Sequence, residues 1–72
     1  MHIKVNGRTI EIFEGARVGD VLRKYSPSEW SLVRKKEKTV RDAHGHEVAL
    51  DGELSGGEEL VTRPRPAAEP RS

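Results

Sequence analysis

The sequence predicts a small α+β domain in which one helix packs on one face of a mixed sheet. Three observations carry this: a two-residue hairpin turn at Asn6-Gly7, an apolar period that changes from alternation to helical spacing after Gly15, and a return to short strand-like runs beyond Trp30. Asn-Gly readily supplies the positive φ that a type I′ loop needs at both central positions. A two-residue loop sets Val5 opposite Arg8, Ile3 opposite Ile10 and Met1 opposite Ile12. The apolar residues of both strands then share one face, and His2, Lys4, Thr9 and Glu11 share the other.

Val18, Val21, Leu22 and Tyr25 fall at i, i+3, i+4 and i+7, the stripe of a short amphipathic helix lying on that apolar face. Ser26-Pro27-Ser28-Glu29 offers a capping hydroxyl, a proline for the first helical position and a Glu three residues after the Ser, which predicts a second helical turn at or just before Trp30. Residues 31–35 and 39–41 read as short strands, and Asp42-Ala43-His44-Gly45-His46 as a turn returning into residues 47–50. Asp51-Gly52 and Ser55-Gly56-Gly57 punctuate a tight loop before a last strand over 58–63, which Pro64 stops. A right-handed crossover would bring that strand beside the first. The expected domain is residues 1–63. Residues 64–72 contain no core residue and read as a disordered tail or linker rich in Pro, Ala and Arg.

With 72 residues the chain has room for one modest core, and with no cysteine it has neither disulfides nor thiolate metal sites. No run of 18 apolar residues and no signal-like N-terminal stretch occurs, so the expectation is a soluble cytoplasmic protein. The net charge of +1 conceals a segregation. Residues 34–41 carry five bases (Arg34, Lys35, Lys36, Lys38 and Arg41) against Glu37, whereas residues 42–60 carry six acids and no Lys or Arg. Adjacent blocks of opposite sign serve either as cross-strand pairs on a solvated hairpin or as a polarised docking surface.

Three segments resemble the ubiquitin-like β-grasp proteins of the sulfur-carrier type, which serve thiamine and molybdopterin synthesis. They are Ile3-Lys4-Val5-Asn6-Gly7; Glu14-Gly15-Ala16-Arg17-Val18-Gly19-Asp20-Val21-Leu22; and Leu54-Ser55-Gly56-Gly57-Glu58-Glu59-Leu60-Val61. The second is similar to that family's Gly-x-Thr-Val helix start, with Arg17 in place of the capping Thr. The third is similar to its Leu-x-x-Gly-Asp-x-Val lead into the last strand, with Glu58 in place of Asp. The resemblance implies a ubiquitin-like β-grasp fold, a fold also shared by TGS domains. In the sulfur carriers a C-terminal Gly-Gly carboxylate is adenylated and converted to a thiocarboxylate, whereas this sequence ends Glu69-Pro70-Arg71-Ser72. Its one Gly-Gly, Gly56-Gly57, precedes the last core strand and reads as a turn.

Asp42, His44 and His46 place three potential metal ligands within five residues, but Gly45 among them suggests a turn with solvated side chains, and no metal or other cofactor is expected. Neither a nucleophile elbow nor a phosphate-cradling glycine loop is present, so the chain is not expected to be an enzyme. The remaining candidate is a binding surface made by Trp30, Arg34, Lys35, Lys36, Lys38 and Arg41, since Trp and Arg dominate interface hot spots. Exposed, Trp30 is an anchor; buried, it is the largest core residue. The expectation is a monomeric module that binds a partner protein through this region or the exposed sheet face. Its rivals are a sulfur carrier with a modified C-terminus and a TGS-like RNA-binding module, for which the same bases would contact phosphates and Trp30 would stack on a base.

Overall fold

A computed structural model of the protein describes residues 1–65. Its elements are β1 (His2–Val5), β2 (Arg8–Glu11), α1 (Val18–Tyr25), α2 (Pro27–Arg34), β3 (Lys38–Arg41), β4 (Glu47–Val48) and β5 (Glu59–Pro64). The five strands form one mixed sheet in the order β2-β1-β5-β3-β4. β5 runs parallel to β1 and antiparallel to β3, so the last strand lies at the centre, beside the first.

The opening hairpin has the register that its turn chemistry dictates. Val5 pairs with Arg8 and Ile3 with Ile10, Asn6 and Gly7 both have positive φ (52° and 84°), and Met1 and Ile12 exchange two backbone hydrogen bonds. Asn6 also does something the turn does not require. Its side-chain amide donates to the Tyr25 hydroxyl (3.1 Å) and to Thr62 Oγ1 (3.0 Å), and its Oδ1 accepts from the Thr62 N–H (3.0 Å), tying the hairpin tip to the end of α1 and to β5.

Ser26 separates the helices, and one physical cause accounts for the break. A residue preceding proline is pushed out of the helical region, and Ser26 is extended (φ −165°, ψ 112°). Its N–H still closes α1 on the Leu22 carbonyl, while its Oγ accepts the Glu29 N–H (3.3 Å) and so caps α2. Residues 31–35 were expected as a strand and are instead helical up to Arg34, which makes α2 a full second helix. The run Ser31-Leu32-Val33, with a β-branched Val and a good helix former in Leu, suits either state, and the Ser-Pro start upstream decides it. α2 ends in a Schellman motif: Lys36 takes left-handed φ (68°), its N–H reaches the Val33 carbonyl, and the Glu37 N–H reaches the Leu32 carbonyl. Lysine at that position conceals the helix end, because glycine is the usual signal.

β4 stops at Val48, short of the expected residue 50, because the chain then turns to serve α1. The Leu50 and Gly52 carbonyls accept the N–H groups of Gly19 (2.8 Å) and Val18 (3.0 Å), two of the donors that a helix start leaves unpaired. Gly19 permits this approach, since a Cβ there would lie 3.3 Å from the Leu50 oxygen and 3.4 Å from Trp30 Nε1. Arg17 fills the place of the capping Thr by other means: its N–H donates to Asp20 Oδ2 (2.9 Å), and its guanidinium donates to the Asp51 carbonyl (2.7 Å). β5 runs through Pro64, one residue beyond the expected strand end. Arg65 adds an N–H bond to the Glu37 carbonyl, and the rest of the expected tail lies outside the described residues. The core between sheet and helices is built from Ile3, Val5, Ile10, Ile12, Ala16, Val18, Val21, Leu22, Val40, Leu54 and Leu60.

Candidate partner-binding surface

The six residues singled out from the sequence do not form one patch. Trp30 is half-buried, packed at the core margin with part of its ring accessible. The Arg34 guanidinium lies over the indole at 5.5 Å from the ring centroid, and the Arg23 guanidinium, from α1, lies at 5.0 Å. Both distances are within cation–π range. Lys35 and Lys36 are exposed where α2 ends. Lys38 and Arg41 are three residues apart on β3 and therefore point to opposite sheet faces, and both are engaged within the chain. Lys38 Nζ is bound by both Glu29 carboxylate oxygens (3.0 and 2.8 Å), and Arg41 Nη1 donates to the Gly45 carbonyl (2.9 Å).

Sequence reasoning missed Arg23. It lies off the apolar stripe of α1, and only the sharp turn at Ser26 brings it over Trp30. Arg34 was legible as a neighbour, since i and i+4 adjoin on a helix, provided that residues 31–35 are read as helical.

The Lys38 hydrogen bonds hold the Glu29 carboxyl below its ordinary value; burial opposes this, and the Thr62 hydroxyl and the Lys38 charge add to it. A depressed carboxyl pKa stabilises the fold above the unfolded value of 4.5 and ceases to do so as pH falls through the folded one. We expect Glu29→Gln to cost about 0.5–1 kcal/mol at neutral pH, discounted for partial exposure. The same substitution should shrink the fall in urea midpoint between neutral and acid solution. An unchanged fall would remove this pair from the acid response.

The other candidate sites are local backbone devices. Asp42 Oδ1 accepts the N–H groups of His44 (2.9 Å) and His46 (3.0 Å). The His46 N–H is the main cause that lowers the Asp42 carboxyl, with burial opposing and the His44 N–H reinforcing. Among the described residues no three His, Cys, Asp or Glu side chains converge as metal ligands. Gly56 and Gly57 both have positive φ (114° and 84°), and the Glu58 carboxylate accepts the Ser55 and Gly56 N–H groups, each at 2.7 Å. Burial raises the Glu58 carboxyl, but the N–H groups of Ser55, Gly56 and Glu58 together outweigh it and leave the carboxyl lowered. The Gly-Gly pair is thus a carboxylate-braced turn leading into β5. Among the described residues no helix is long and apolar enough to cross a membrane.

No protein-family model and no curated protein sequence matches the chain. Its architecture is similar to the crystal structure of SAMP1 from Haloferax volcanii, with a TM-score of 0.57 and 22% identity across 93% of this chain and 96% of that one, and the fold is accordingly a ubiquitin-like β-grasp.

Proposed function

We propose that this protein is a non-catalytic ubiquitin-like module that binds a partner protein through the corner where α1 meets α2. The observation that supports this best is the half-buried Trp30 indole with the Arg23 and Arg34 guanidinium groups both within cation–π distance of its ring. An aromatic side chain already fixed by packing loses little freedom on binding, and Trp and Arg are the residues on which interface energy concentrates. The ubiquitin-like fold of SAMP1 supports the module by analogy of fold alone.

The RNA-binding reading has less behind it. Lys38 is neutralised by Glu29, and Arg41 points to the opposite sheet face from Lys38, so the basic block is no continuous phosphate track. The carrier reading finds no support in Gly56-Gly57, which is occupied in a turn.

A photo-crosslinking residue placed at position 51 or position 4 tests the assignment, because Asp51 lines the same depression as Arg23, Trp30 and Arg34, whereas Lys4 lies on the opposite, exposed sheet face. In cell extract, position 51 should yield discrete protein adducts that excess unlabelled protein suppresses and a Trp30→Ala competitor does not. Adducts from position 4 alone would move the interface to the open sheet.

A further inference from the structure

Two depressions of about 350 and 340 Å³ share Arg34, Leu50 and Asp51 and so run together as one groove. Its floor is apolar. Trp30 and Leu50 line one end, and Val33, Val48 and Leu50 the other, all half-buried at the margin of the core. Its rim is cationic. Arg23, Arg34 and Lys36 stand there with no ion-pair partner among the described residues, whereas Lys38 is paired with Glu29, and Arg65 with Glu47 at 3.7 Å. Of the acids on the rim, Glu47 is paired with Arg65, whereas Asp20, whose carboxylate accepts the Arg17 N–H, and Asp51 have no ion-pair partner among the described residues, so three free cations stand with two free carboxylates and the rim keeps a positive excess.

We infer that this groove takes an extended segment of the partner in which apolar and acidic side chains alternate. The inference rests on the partner-binding reading and adds the chemistry of what is bound. An extended chain directs successive side chains to opposite sides, so every second residue meets the apolar floor while the others reach the rim. Guanidinium groups laid over the indole are already oriented, and their edges can donate two parallel hydrogen bonds to a carboxylate. A nucleic-acid backbone suits the groove poorly, because it brings a phosphate at every step to three cations and leaves Leu50, Val33 and Val48 uncovered.

Trp30 is the only tryptophan in the chain, so its emission reports the groove directly. The probes are three short peptides of equal length, with Leu alternating with Glu, Leu alternating with Lys, and Ser alternating with Glu, together with oligouridylate. At about 0.15 M salt the Leu–Glu peptide should shift Trp30 emission saturably and bind at least about tenfold more tightly than any other probe. R23Q/R34Q should remove that advantage while the protein stays folded, with a single cooperative urea transition. Equal binding of the Leu–Lys peptide, tighter binding of oligouridylate, a protein-concentration-dependent shift without peptide, or no binding at all would each overturn the inference. If specific crosslinks from position 51 persist in those cases, the partner-binding reading survives and only the acidic and apolar specificity is lost.

Discussion

A chain truncated after Gly57 is expected to be unfolded at room temperature. The truncation deletes β5, the central strand, and with it the pairings Val5 to Leu60 on one side and Thr39 to Arg63, Val40 to Thr62 and Arg41 to Val61 on the other. It also removes Leu60, only 2% exposed, and the Thr62 contacts of Asn6. Loss of one buried Leu side chain costs about 2–5 kcal/mol. A core of this size supplies roughly 3–5 kcal/mol of net stability, so nothing remains to hold the other four strands together. A chain ending after Arg65 keeps every contact described above and should give a dispersed amide NMR spectrum, while the Gly57 truncation should collapse to random-coil shifts. A dispersed spectrum from the shorter chain would show that Gly57 can serve as a terminus and would reopen the carrier reading.

Trp30→Ala is expected to weaken partner binding by about thirtyfold or more, the loss typical of a hot-spot residue of about 2 kcal/mol. Because Trp30 packs on the core margin, the same substitution should lower stability by roughly 1–2 kcal/mol, less than a fully buried Trp would cost. Trp30→Phe separates the two effects, since it keeps an apolar ring for packing and a weaker face for the guanidinium groups. Affinity and urea midpoint are measured on both variants. If the midpoint falls while affinity holds, Trp30 is a structural residue and the interface lies elsewhere.

The hairpin and the first helix were legible in the sequence because each rests on short-range chemistry. Asn6-Gly7 sets a turn whose register places Ile3 against Ile10, and the 18, 21, 22, 25 spacing lays one stripe on that face. The second helix was half legible: Ser26-Pro27 announces its start, but Lys36 stands where glycine would announce its end, and Leu32-Val33 suits a strand equally well. The candidate surface was less legible still. Trp30 and Arg34 are neighbours along one helix, whereas Arg23, Gly19 and Leu50 reach the same place only through the angle between the helices and the path of residues 49–52. A count of bases between residues 34 and 41 gave Lys38 and Arg41 equal weight with Arg34, because charge counted along a strand does not reveal which side chains are already paired within the fold.

The most direct measurement follows the Trp30 indole N–H by two-dimensional NMR while the crosslinked partner, purified, is titrated into the labelled protein. With one tryptophan in the chain, this group gives a single side-chain signal free of overlap. The expected result is that the indole signal and the amides of residues 19, 23, 34 and 50 shift together and saturate, while those of His2, Lys4 and Thr9 on the open sheet face stay in place. An unmoved indole signal with saturating shifts on the open face would contradict binding at the Trp30 corner.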